Sequence, residues 1–150
     1  MQEAIDLAKQ NLKLKNGGPF GAVVVRDGKI IGRGVNSVTS QNDPTAHAEV
    51  NAIREACAVI NSFQLDDCEI YSSCEPCPMC LGAIYWARPK KFYYAATRED
   101  AAKAGFDDSE IYREIQLPIQ SRKIPSEQLM ESEANQVFET WIDLEHKTEY

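Results

Sequence analysis

The chain has 150 residues, 43% of them hydrophobic and 26% charged, which fits one ordinary globular domain over 1–150. A domain of this length buries about 68–70% of the surface its unfolded chain exposes, so it needs neither a disulfide framework nor a structural metal in order to fold. Lys and Arg number 16 against 23 Asp and Glu, a net charge of -7, which argues against general binding to phosphate backbones because that requires basic surface. The only basic cluster is Arg88-Pro89-Lys90-Lys91. Met1 leads into Gln2-Glu3-Ala4-Ile5 without a basic, apolar leader, and no stretch approaches the ~20 apolar residues of a membrane span. A cytoplasmic protein is expected, with no membrane partner. Five cysteines in such a compartment read as thiols or metal ligands.

In chain order, Ala4, Ile5, Leu7, Ala8, Leu12 and Leu14 recur mainly at helical intervals and predict a helix over 2–15 with one apolar stripe. Asn16-Gly17-Gly18-Pro19 ends it. Residues 20–26 are a β-branched apolar run, Asp27-Gly28 is a two-residue turn, and 29–35 returns as a second strand, a hairpin. The segment 36–43 is a polar loop, closed by Asp43-Pro44 as a cap with a first-turn proline. A helix is expected from about Thr45 to Ser62, its buried face formed by Ala46, Val50, Ile53, Cys57 and Ile60 at alternating helical steps. Residues 68–73 form a third strand, 78–87 a helix opening at cysteines, and 92–96 a fourth strand. The order β-β-α-β-α-β implies an α/β layered domain with helices on a mixed sheet, its last two strands parallel. Beyond residue 97, short helices are expected at 98–103 and 109–114, an irregular stretch at 115–132 and a final helix at 133–147. That last helix carries Val137, Phe138, Trp141, Ile142 and Leu144, with Trp141 read as core.

The chemistry concentrates in two stretches, Thr45-Ala46-His47-Ala48-Glu49 and Cys74-Glu75-Pro76-Cys77-Pro78-Met79-Cys80. A Cys-x-x-Cys pair alone suits a redox pair, a structural zinc knuckle or half of a catalytic zinc site. Cys57 and Cys68 are too scattered to complete a four-thiolate knuckle and read as buried thiols. One histidine with two cysteines meets the three-ligand count of a catalytic zinc, with a fourth position open. Cys77 and Cys80 lie at i and i+3 on one helix side, at a first turn where the dipole favours thiolate. His47 and Glu49, at i and i+2, converge only at a helix N-terminus, where side chains lean back past the end.

His-x-Glu with Pro-Cys-x-x-Cys is the signature of zinc nucleobase deaminases, spelled here His47-Ala48-Glu49 and Pro76-Cys77-Pro78-Met79-Cys80. The ligands are then His47, Cys77 and Cys80, with Cys74 left over. Glu49 is the proton shuttle, and Glu75 its competitor for that role. Zinc acidifies a bound water, hydroxide attacks the amine-bearing carbon, and Glu49 carries the proton to the ring and then to the leaving amine.

The likeness extends through Gly17-Gly18-Pro19-Phe20-Gly21-Ala22, Asn42–Glu49, Ser73–Ala87, Ala104-Gly105-Phe106-Asp107-Asp108 and the closing Glu149-Tyr150. These stretches resemble the bacterial guanine deaminases of the cytidine-deaminase-like superfamily. The resemblance implies a three-layer α/β/α fold with a central mixed sheet. It implies hydrolysis of guanine to xanthine and ammonia in purine catabolism. It also implies a substrate pocket of Asn36, Asp108, Phe20, Trp86 and Tyr150. Aromatic rings there would sandwich a purine, Asp108 would accept its N–H donors, and Asn36 would read the ring edge. A homodimer with its segment from about 115 to 150 swapped is implied too, with Tyr150 serving the neighbouring site. Plainer readings stand beside these: Asn36 as a turn cap, Asp107 and Asp108 as a cap pair, Trp86 as core and Tyr150 as a frayed end. The rival activities are a tRNA adenosine deaminase and a cytosine-type deaminase.

Overall fold

A computed structural model describes residues 1–149. In chain order it contains α1 (Gln2–Leu14), β1 (Gly21–Arg26), β2 (Lys29–Val35), a one-turn helix α2 (Val38–Gln41), α3 (Ala48–Ile60), β3 (Cys68–Cys74), α4 (Pro78–Ala87), β4 (Lys91–Ala96), α5 (Arg98–Lys103), α6 (Ser109–Gln116), a 3-10 turn (Ile119–Ser121) and α7 (Glu131–Asp143). The chain falls into two compact units, Met1–Ser109 and the segment from Glu110 onward.

The first unit is built on one four-stranded sheet, ordered β2-β1-β3-β4. β1 runs antiparallel to β2 and to β3. β3 and β4 are parallel, because the helix between them must carry the chain back across the sheet. The β1–β2 turn is Asp27-Gly28, both at positive φ (50° and 74°), the type I′ geometry that suits the strand twist.

Glycines show which helix covers which face. Ala22 and Gly34 are cross-strand partners, and a Cβ on Gly34 would strike Ala48 and Ala52 of α3. Gly21 points to the opposite face, where a Cβ would strike Ala4 and Ala8 of α1. α1 and α3 therefore sandwich the sheet. Ile84 and Ala87 of α4 share a core with Ala22, Val24, Ala48, Ala52 and Ile70, which puts α4 beside α3. This is the expected three-layer α/β/α arrangement with a mixed sheet. Burying side chains the size of Val24 and Ile70 contributes about 1.5–3 kcal/mol each.

Some expectations need correction. Asp43-Pro44 does not open the long helix. Asp43 Oδ1 accepts from the Thr45 N–H (2.8 Å) and hydroxyl (2.7 Å), an Asx turn that keeps residues 44–47 outside the helix. α3 starts at Ala48 with His47 as its N-cap. The polar loop after β2 holds α2, and the stretch at 115–132 contains the end of α6 and the 3-10 turn. On α1 the buried positions are Ala4, Ala8 and Asn11, while Leu12 and Leu14 are exposed.

The second unit comprises α6 from Glu110 on, the 3-10 turn and α7. None of its described residues is buried. Trp141, expected in the core, is 40% exposed, and Val137, Phe138, Ile142 and Leu144 are exposed as well. Among the described residues, no helix is long and apolar enough to cross a membrane.

Candidate active site

Two helix N-termini build the site. His47 is the N-cap of α3 (φ -76°, ψ 157°), and Cys77 is the N-cap of α4 (φ -65°, ψ 168°), followed by Pro78 inside the first turn. Extended backbone at each cap turns the side chain past the helix end. Glu49 lies in the first turn of α3 and Cys80 in the first turn of α4. Both helices lie on the same face of the sheet, so their N-termini meet above β3.

The His47 Nδ1 atom is 3.5 Å from Cys77 Sγ and 3.4 Å from Cys80 Sγ, and all three donor atoms lie within 4.8 Å of one another. Tetrahedral zinc with its usual Zn–N and Zn–S bond lengths would hold N and S about 3.6 Å apart. The trio therefore fits a tetrahedral zinc with one position left over. The thiol chemistry agrees. The Cys77 thiol is drawn down to about 4 by the hydrogen bond from Cys80 and then by His47, against the effect of burial. That same bond pushes Cys80 up, aided by burial and the Glu49 charge. His47 is raised, chiefly by its hydrogen bond with Cys77. A preformed thiolate beside an imidazole is a donor set for a soft or borderline cation.

Glu49 is 6% exposed. Burial raises its affinity for a proton, opposed by hydrogen bonds from its own backbone, Cys80 and Ser72. Ser72 Oγ donates to Oε1 at 3.1 Å, and Oε2 lies 3.3 Å from Cys80 Sγ. Its competitor Glu75 is engaged elsewhere. Its Oε2 accepts from the Arg98 N–H at 3.1 Å, at the start of α5. Cys74 donates to the Thr97 carbonyl (3.6 Å) and is pushed up to about 11, first by burial and then by the Glu49 charge, so it stays a neutral thiol. Cys57 and Cys68 are also raised by burial.

Asp108 is half-buried. Its proton affinity is raised by burial first and then by the Cys77 charge, which puts it within electrostatic reach of Cys77. Phe20 is half-buried and packs edge-on against Phe106, with centroids 5.0 Å apart and rings at 84°. Asn36 is 7% exposed. Its N–H donates to the Phe20 carbonyl (3.1 Å), and the next residue, Ser37, donates to the Ala46 carbonyl (2.9 Å), one residue before His47. Trp86 is 64% exposed, and six residues after Cys80 it stands about 240° around α4. Tyr150 lies outside the described residues.

Three contributors escaped sequence reasoning. Ser72 occupies an inward position of β3, whose burial alternates through Cys68, Ile70, Ser72 and Cys74, and that alternation was its signal. Asn11 sits at an inward position of α1, a polar residue within an apolar stripe. Phe106 was legible only as part of the Ala104–Asp108 motif.

A family model described as the cytidine and deoxycytidylate deaminase zinc-binding region matches residues 1–96. Guanine deaminase of Bacillus subtilis is 57% identical over 150 residues, 100% of this chain and 96% of that protein. An X-ray structure of guanine deaminase from Bacillus subtilis superposes with a TM-score of 0.96 at 57% identity, covering 99% of this chain and 95% of that one. A tRNA-specific adenosine deaminase of Buchnera aphidicola is 47% identical over 88 residues, 59% of this chain and 58% of that protein.

Proposed function

Since this chain belongs to the cytidine and deoxycytidylate deaminase zinc-binding family, we propose that it hydrolyses guanine to xanthine and ammonia. The observation that carries this reading is a 57% identity running the whole length of the chain, the second unit included. The rival tRNA adenosine deaminase reading rests on weaker likeness, 47% identity over 88 residues or 38% over 128, and a net charge of -7 gives little to attract a phosphate backbone.

Zinc is the cofactor, and His47 Nδ1, Cys77 Sγ and Cys80 Sγ would hold it. When bound it would supply the Lewis acidity that acidifies water at neutral pH. Glu49 moves the protons. It takes one from the attacking water and delivers it to the ring nitrogen beside C2, then takes the proton of the newly added hydroxyl and passes it to the departing amine as the C2 carbonyl forms. Burial suits Glu49 to this role, because a carboxylate with raised proton affinity holds a proton long enough to return it. Ser72 anchors Oε1, which keeps the carboxylate in one orientation. Asp108 accepts from the N1–H and amine of the base, Asn36 donates to its edge, and Phe20 backed by Phe106 forms one wall of a flat slot.

The working form is a homodimer in which the segment from about 115 to 150 is swapped. The exposed apolar side chains of α6 and α7 support this: Ile111, Ile115, Phe138 and Ile142 are each about half exposed or more, a surface that a monomer has reason to cover. Trp86 and Tyr150 then complete a site with help from the second subunit. All of it remains one functional deaminase domain, acting in the cytoplasm in purine catabolism. Ammonia release from guanine, adenine, cytosine and their nucleosides tests the assignment. Guanine is expected to lead, and higher turnover of cytosine or of adenosine in tRNA would sink it.

A further inference from the structure

Asn11 is the one polar residue among the buried positions of α1, and it is 1% exposed. Its Nδ2 donates to two carbonyls from separate segments, Gly18 O and Asn36 O, both at 2.8 Å. Its Oδ1 is buried with no partner among the described residues. An orphaned acceptor costs free energy, and an apolar residue at this position would avoid that cost. The two donated bonds must therefore serve something beyond the packing of α1.

They converge on Asn36. The Asn36 Oδ1 atom accepts from the Gly18 N–H at 3.0 Å and the Val38 N–H at 3.4 Å. Two N–H donors on one side of an amide fix which end is oxygen. With oxygen so engaged, Nδ2 is the free end, and it donates to no group among the described residues. Gly18 is held from both sides, its carbonyl by Asn11 and its N–H by Asn36. Gly17 closes the ring, since a Cβ there would overlap the Asn36 carbonyl and Oδ1. Asn36 stands beside Phe20 and one residue from the strand-to-loop contact at Ala46, so this ring of bonds borders the substrate slot.

We propose that Asn11 is a positioning residue for substrate recognition: by holding the Gly18 and Asn36 carbonyls it fixes the backbone whose Gly18 N–H pins the Asn36 amide in one orientation, so that this edge of the slot offers a hydrogen-bond donor and selects bases with an acceptor there. The inference rests on the reading of Asn36 as a base contact. An amide free to flip would present donor or acceptor equally and would discriminate poorly. A clamped one leaves the wrong base with an unpaired group.

Steady-state kinetics on guanine test this with the zinc-loaded full chain and four variants: Asn36→Ala, Asn11→Ala, Asn11→Leu and Asn11→Leu/Asn36→Ala. Asn11→Leu keeps the branched outline of the side chain in an apolar face, though bulkier, and removes both donated hydrogen bonds. Asn36→Ala is expected to raise KM roughly tenfold, the worth of one hydrogen bond. Asn11→Ala and Asn11→Leu raise it several-fold, with kcat and zinc content near wild type. The double variant binds no worse than Asn36→Ala alone, because the two residues act as one unit. A merely structural Asn11 predicts instead a lower Tm with KM unchanged, or losses that multiply in the double variant, and either result overturns the inference. An Asn36→Ala variant with wild-type KM overturns the substrate role of Asn36 and this inference with it. A wild type that releases no ammonia from guanine overturns the assigned activity as well.

Discussion

Glu49 follows His47 by two residues, yet both reach one point because they straddle a helix start rather than a helix body. That local fact sets the first expectation. Glu49→Gln keeps its shape and the hydrogen bond from Ser72 but cannot carry a proton. Turnover should fall by about 10²–10⁴-fold, with metal analysis still finding zinc. His47→Ala or Cys80→Ser should do the converse and lose zinc on dialysis. Cys74 supplies a pH test. Unfolded, it ionises at its ordinary value of 9.0, whereas folded it does so only at about 11. Between those values the unfolded chain sheds a proton that the folded chain keeps, so stability falls as pH rises. Denaturant titrations from pH 8 to 11 should show a shallower alkaline decline for Cys74→Ala than for wild type.

At the scale of elements, the site depends on how closely α3 approaches the sheet. Gly32 and Gly34 of β2 lie against Ala52, Ala56 and Ala48, small residues facing small residues. This close seat places the N-terminus of α3 beside that of α4. Gly34→Ala would drive a methyl into the Ala48 carbonyl and move the helix that carries His47 and Glu49. We expect a loss of about 1–3 kcal/mol in stability and weaker zinc retention, measured by thermal melts and chelator competition. At the rim, Thr97 and Asp100 form a reciprocal capping box on α5. Thr97→Ala should cost about 0.5–2 kcal/mol, visible as a lower Tm with the zinc content unchanged.

At the scale of the whole molecule, the second unit has helices but no interior. α7 carries Val137, Phe138, Trp141 and Ile142 at spacings that make one apolar stripe, and all are exposed. The periodicity predicts a buried face with Trp141 in the core, and these side chains are exposed instead. A second copy is the expected cover. Sedimentation should therefore give a dimer, and Phe138→Glu or Ile142→Glu should shift it to monomer and lower guanine turnover, as the proposed swapped site requires. A wild-type monomer with full activity would exclude this arrangement.

By itself the sequence determined the sheet, the two helices that frame it, and the spacing that brings His47, Cys77 and Cys80 together. Each rests on local physics: β-branched runs, the Asp27-Gly28 turn, and cysteines at i and i+3 on a first turn. It could not show that Asp43 closes a turn rather than a helix, because an Asx turn and an N-cap use the same side chain. Nor could it show Ser72 beneath Glu49 or Asn11 behind Asn36. Those contacts join segments 23 and 25 residues apart, and no local pattern encodes a partner at that distance. Only the tertiary structure decided them, because packing α1 and α3 on opposite faces of one sheet brings each polar side chain to its partner.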